Sequence, residues 1–284
     1  MKYVFTALLA VATLIVLTAP ATADWNREDP FKMHYPQLPD LQTGLDVLAS
    51  PTTMDGIAVQ KVLADDFLCT ESGPITDIHI WGSWLNDQFP WDPQIPTVGP
   101  NPGNVKFRLS IHNDIPKGPN NPYSMPAQPP LWEHNFAPGE FKWRPWATAE
   151  ELFYDPNRQG TAGILGTDTQ VIQYNFLIPE ALAFKQEMGK TYWLDVTAYP
   201  NQVAGVPPAV FGWKTSLNRW NDDAVYWDEL PTGGATLPHE LIDPRTGESL
   251  NMAFVITPEP GTVVMLIGAG LIGLAAYARR RRKG

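Results

Sequence analysis

The sequence predicts an all-β body, an antiparallel β-sandwich of jelly-roll type with short crossover helices. An N-terminal signal peptide precedes it and one C-terminal transmembrane helix follows. Three observations carry this. Period-two alternation recurs along the chain, as strands with one wet face require. The 284 residues include 29 prolines, which punctuate the chain into short segments. And 11 Trp, 12 Phe and 9 Tyr supply a large core, since each such ring buries on the order of 150 to 250 Å².

In chain order, Lys2 starts a short positive region, Val4 to Leu17 is almost uninterruptedly apolar, and Ala21 and Ala23 give a small-x-small cleavage pattern. Residues 1–23 therefore read as a secretory signal, with the mature chain starting at Asp24. Residues 24–54 have weak periodicity and scattered charges, and read as an extended lead-in to a body at 55–257.

Within that body Val105, Phe107, Leu109 and Ile111 alternate with Lys106, Arg108, Ser110 and His112, and Ile78, Ile80 and Trp84 alternate with His79, Trp81 and Ser83. Further strands are expected at Gln170 to Ile178, Thr191 to Tyr199, Ala209 to Lys214, Ala224 to Trp227 and Leu250 to Ile256. Two helices are expected. One is Thr148 to Tyr154, with Thr148 and Glu151 spaced as a capping box, and the other is Pro179 to Met188, with Gly189 after its end. The prolines between Phe89 and Pro130 mark long surface loops.

At the far end, Pro258-Glu259-Pro260 precedes an uncharged run at 261–278 and a basic stop at 279–283. As a helix the run covers about 27 Å, close to a bilayer's hydrocarbon core. The basic stop stays cytoplasmic by the positive-inside bias, which places everything before Pro258 across the membrane. Both ends thus send the body out of the cytoplasm.

This tail resembles that of PEP-CTERM proteins, exported bacterial proteins with the same order of Pro-Glu-Pro, span and arginine cluster. The resemblance implies recognition of Pro258, Glu259 and Pro260 by an exosortase-type processing enzyme, with Arg279, Arg280, Arg281 and Arg282 holding the tail in the inner membrane until processing. A second resemblance covers most of residues 55–257. The segments at Leu63 to Cys69, Ile75 to Trp84, Thr191 to Asp195 and Trp213 to Trp227 are similar to an uncharacterised β-rich domain recurring in bacterial surface proteins. That domain implies a fold and no activity.

All 30 acidic residues lie between Asp24 and Glu259, with only 14 of the 20 basic ones, so the body is more acidic than the chain's net −10. Such a surface repels phosphate backbones and excludes nucleic acid as partner. It suits calcium, cationic partners or neutral sugars. Cys69 is the only cysteine, so no internal disulfide forms, and its apolar setting reads as a buried, inert thiol.

No Gly-x-Ser-x-Gly elbow, His-Glu-x-x-His pair or phosphate loop is present, so no catalytic residue is assigned. Asp65-Asp66 and Asp222-Asp223 could nominally supply a glycosidase's carboxylates, but neighbours on a strand point to opposite faces, so each pair offers at most one inward group. The same four acids are the candidates for Ca²⁺, although none sits in an Asp-x-Asp-x-Asp-Gly loop, and as solvated loop acids they would need no metal. His79 and His112 read as lone surface histidines.

The densest constellation is Gly212 to Trp227. Sugars present flat C–H faces and many hydroxyls, which indole rings beside amides and acids complement. Trp213, Trp220, Asn221, Asp222 and Tyr226 are therefore the candidate glycan-binding residues, with core packing of some rings as the alternative. Two functions stay open: an exported, non-catalytic surface or matrix protein binding exopolysaccharide, and a secreted glycan-active enzyme, hydrolase or lyase, on the same sandwich.

Overall fold

The computed structural model describes residues 24–257 except 55, 93, 95–98 and 159. The signal with Ala21 and Ala23, the Pro258-Glu259-Pro260 motif, the 261–278 span and Arg279 to Arg282 lie outside the described residues. Among the described residues no helix is long and apolar enough to cross a membrane.

The body is all-β. Its strands are β1 (Leu45–Leu48), β2 (Pro51–Met54), β3 (Ile57–Leu68), β4 (Gly73–Ile75), β5 (Asp77–Trp84), β6 (Val105–Ile115), β7 (Met125–Pro126), β8 (Trp132–Phe136) and β9 (Lys142–Tyr154). They continue with β10 (Ile164–Leu177), β11 (Phe184–Gln186), β12 (Thr191–Pro200), β13 (Phe211–Ser216), β14 (Val225–Glu229), β15 (His239–Glu240), β16 (Asn251–Met252) and β17 (Phe254–Thr257).

A first sheet runs β16-β13-β1-β9-β10-β5-β17, and β13 also pairs β5, so this sheet curls until it closes on itself. A second runs β15-β14-β3-β12-β6-β7, with β2 on β3 and β8 on β6. Pairing is antiparallel except between β1 and β9, which run parallel. The main core lies between the sheets. Phe107 of β6 meets Tyr174 and Phe176 of β10 and Phe211 of β13 edge-on, at centroid distances of 5.0, 5.3 and 5.1 Å, the arrangement that ring quadrupoles favour. Gly82 makes room for this, since a Cβ there would stand 2.3 Å from the Phe211 ring.

Neither expected helix forms. The 148–154 run is the second half of β9, bonded to β10 on one edge and to β1 on the other. A capping box is a local signal, and pairing on both edges of a strand outweighs it. The 179–188 run holds one 3-10 turn, Glu180–Leu182, then β11, which pairs with β4.

The 24–54 run is part of the body rather than a lead-in to it. β1 inserts between β13 and β9, and Trp25, Met33 and Gln37 are buried. Strand β5 also departs from expectation. All eight of its residues are buried, because Trp25 covers the face that alternation assigned to water, with its ring 5.8 Å from that of Trp81.

Both histidines read as surface groups are sealed. His79 Nδ1 lies 2.6 Å from Asn175 Oδ1 and its Nε2 3.2 Å from Asp77. His112 presents Nε2 to Asp195 Oδ2 and Nδ1 to the Ala127 carbonyl, each at 2.7 Å. Both His112 partners are acceptors, which suits a ring that donates from both nitrogens. Burial pulls its pKa down, but the bond to Asp195 and its charge outweigh this and leave it raised. Cys69 is buried, and burial pushes its thiol pKa up.

Candidate functional site: an acidic groove on the second sheet

On β3, Leu63 and Phe67 face the main core, so Val62, Ala64 and Asp66 face the other way. There Val62, Ala64, Trp193, Val225 and Trp227 form a small second core, against which Tyr123 packs. The 217–224 loop between β13 and β14 crosses the same face beside it. Ser216 anchors the start of the loop, accepting a bond from Asn218 N (3.1 Å) and donating to Leu38 O (2.6 Å). Asn251 Oδ1 then accepts from Trp220 N at 3.1 Å. Asn221 turns the chain at φ 52, a left-handed conformation that asparagine tolerates.

The loop closes a groove of about 220 Å³ lined by Arg219, Trp220, Asn221, Asp222, Asp223 and Asn251. Trp220 is half-buried and stacked on His34, at 4.6 Å and 19° between planes. Tyr35 braces His34 edge-on and donates its hydroxyl to Arg219 O. A flat ligand has only the indole face turned away from His34.

Asp222 is partly committed to the loop: Oδ2 accepts from Ser124 N (2.7 Å) and Oγ (3.0 Å), and Oδ1 from Asp223 N (3.0 Å). Asp222, Asp223 and Glu240 each offer a carboxylate oxygen within 4.8 Å of the others. Partial burial, a hydrogen bond shared with Asp223 and the charges of Asp223 and Asp222 raise the Glu240 pKa against the pull of Lys117.

Beneath the loop, Asp66 accepts a bond from Asn221 Nδ2 through Oδ2, while its buried Oδ1 has no well-formed hydrogen bond. Burial and the neighbouring Asp65 push its pKa up to about 9. Asp65, on the opposite face of β3, accepts from Gln37 Nε2 (2.7 Å) and Met252 N (2.6 Å), and burial pushes it up to about 8. The pair does point to opposite faces, yet both acids are buried, because both faces of β3 are covered.

Of the sequence-predicted residues, Trp220, Asn221, Asp222 and Asp223 converge at the groove with Asp66 under it. Trp213 does not belong there. It is fully buried in the first sheet, donating Nε1 to Ala253 O at 2.7 Å. Tyr226 is excluded by strand alternation: it points to the face of β14 opposite Val225, where its hydroxyl bonds Pro156 O (3.1 Å) and Lys61 Nζ lies 4.9 Å from its ring. Glu240 and Ser124 escaped sequence reasoning. Glu240 reaches Asp222 and Asp223 through the pairing of β15 with β14, with Val225 opposite Glu240, and Ser124 through its bonds to Asp222, and no local pattern announces either.

The terminal Pro-Glu-Pro signal marks an exported protein carrying a C-terminal sorting signal read by an exosortase, bound for the cell surface or the exterior. Residues 257–282 match the PEP-CTERM protein-sorting motif. The chain belongs to the family described as Domain of unknown function (DUF7901), matched over residues 33–257. No curated protein matches it. One similar solved structure is described as "AvmM Catalyzes Macrocyclization in Alchivemycin A Biosynthesis". It is 8% identical and covers 74% of this chain and 96% of its own, and its TM-score of 0.22 carries no argument about fold or activity.

Proposed function

We propose that the protein is a non-catalytic component of the cell surface or extracellular matrix that binds exopolysaccharide in the 219–223 groove. On this reading the signal is cleaved after Ala23, and the tail waits in the inner membrane for processing. The observation that carries the binding reading is the half-exposed Trp220, braced on one face by His34 and flanked by Asn221, Asp222 and Asp223. An indole with one stacking face beside hydrogen-bonding side chains suits a sugar ring. Asp65 and Asp66, the carboxyls pushed up furthest at this place, are sealed from solvent and cannot meet a sugar. Co-sedimentation of the 24–257 protein with the host's exopolysaccharide tests this. Trp220→Ala should weaken retention by about 2 kcal/mol, the scale of a central aromatic contact. Equal retention of the variant would reject the groove.

Calcium fits the same place. Asp222, Asp223 and Glu240 supply hard oxygen ligands, and no ion pair among the described residues neutralises these three acids. A cation there would offset the repulsion that raises Glu240. Calcium at a hundred times its dissociation constant should stabilise the body by about 2.7 kcal/mol, read as a rise in Tm that a chelator reverses. An unchanged Tm at about 10 mM calcium, well above the affinity range of extracellular sites, would remove the ion.

A further inference from the structure

On the face of the first sheet turned away from the main core, Lys214 of β13 places its ammonium among three carboxyls. Nζ contacts Glu151 Oε2 of β9, lies 2.6 Å from Asp46 Oδ2 of β1, and 4.0 Å from Asp168 Oδ1 of β10. All four side chains are at most 2% exposed. Asp168 stands directly across from Glu151 in the β9–β10 ladder, beside Ser83 and the Asp46 carboxyl, but neither of its oxygens has a well-formed hydrogen bond, nor has Ser83 Oγ. Gly212 lets the Phe153 ring close the site, since a Cβ there would meet that ring at 2.7 Å. Three acids around one ammonium leave uncompensated charge in a fully buried place, and such charge is costly to keep.

We propose that the folded body forms an intramolecular amide bond between Lys214 Nζ and the Glu151 side-chain carboxyl, tying β13 to β9 across β1. Each group has a role in the step. Asp46 takes a proton from the ammonium and frees the nitrogen lone pair. Nitrogen attacks Glu151 Cδ, and Asp168 protonates the departing oxygen. The C–N bond forms, a C–O bond breaks, and the two protons lost by nitrogen leave as water, relayed by Asp46 and Asp168, which end as they began. No oxidant or cofactor is needed.

Burial lowers the Lys214 pKa against the charge of Asp46, which favours the nucleophilic amine. Burial and the adjacent Asp46 push Asp168 up to about 10, so it holds the proton it must give. Strands that fix nucleophile and carboxyl in contact supply effective concentrations on the order of 10⁵ to 10⁸ M. Replacing a buried ion pair by a neutral amide also removes its desolvation penalty. An exported protein with one cysteine gains by this a covalent tie that it cannot make with sulfur.

Tryptic digestion of the full chain recovered from its host, followed by tandem mass spectrometry, tests the bond. The expected product is a branched peptide joining the Lys214 and Glu151 segments, one water lighter than their sum, with no cleavage after Lys214. It should be absent in Lys214→Arg, and Asp168→Asn should slow its appearance by about a hundredfold or more, as loss of a general acid does. Recovery of both segments as linear peptides from folded wild-type protein would overturn the proposal, whatever the variants do. A branch from Lys214 to Asp46 would overturn the assignment to Glu151.

Discussion

Trp213→Ala should destabilise the body by about 3–5 kcal/mol, the range for deleting a large buried aromatic. In a thermal melt this is a fall on the order of 10 °C for a domain of this size. The indole is fully enclosed, its Nε1 is satisfied by Ala253 O, and its ring centre lies 6.0 Å from that of Phe254. Truncation leaves a cavity between β13 and the β16–β17 segment and takes from Ala253 O the shorter of its two hydrogen bonds, leaving the one from Trp81 N at 3.4 Å. Trp220→Ala, in the same stretch of sequence, removes a half-exposed ring and should leave the melt nearly unchanged. A Trp213→Ala protein that melts like wild type would contradict the placement of this ring in the core.

Lys61→Met should cost about 3–5 kcal/mol, because it strands a buried carboxylate. Lys61 Nζ lies 2.5 Å from Asp228 Oδ1, with the two side chains 0% and 4% exposed. Burial lowers the Lys61 pKa, and Asp228 offsets this only in part. Asn157 Nδ2 reaches Asp228 Oδ2 at 2.9 Å and would remain, yet one amide donor cannot replace an ammonium. The double variant Lys61→Met with Asp228→Leu should recover most of the loss, since apolar pairs often substitute for buried ion pairs at little cost. Urea unfolding of the two proteins measures both numbers. Equal stability of Lys61→Met and wild type would show the pair to be solvated.

What the sequence made legible divides along a physical line. Strands at 105–111, 170–178 and 191–199 could be read because each alternates in its own residues. Residues 148–154 could not, since a capping-box spacing is visible locally while the pairing of β9 with β1 and β10 is set by segments far away in the chain. Strand β3 was hidden for another reason: with Leu63, Asp65 and Phe67 buried on one face and Val62, Ala64 and Asp66 on the other, no hydrophobic period survives.

The groove was half legible. Trp220 to Asp223 stood out as adjacent aromatic, amide and acidic residues, but which indole faces solvent is decided by where β13 ends. Trp213 lies within that strand, and Trp220 lies past it. The four-residue cluster around Lys214 left no mark in the sequence, because its members come from four strands and meet only when the first sheet closes.

Isothermal titration of the 24–257 protein with the host's exopolysaccharide, in calcium and again in chelator, tests the binding reading most directly. Saturable heat is expected in calcium, with weaker binding in chelator and loss of the heat in Trp220→Ala while the folded state persists. No saturable heat in either buffer, or a Trp220→Ala isotherm that superimposes on wild type, would contradict exopolysaccharide binding at the groove.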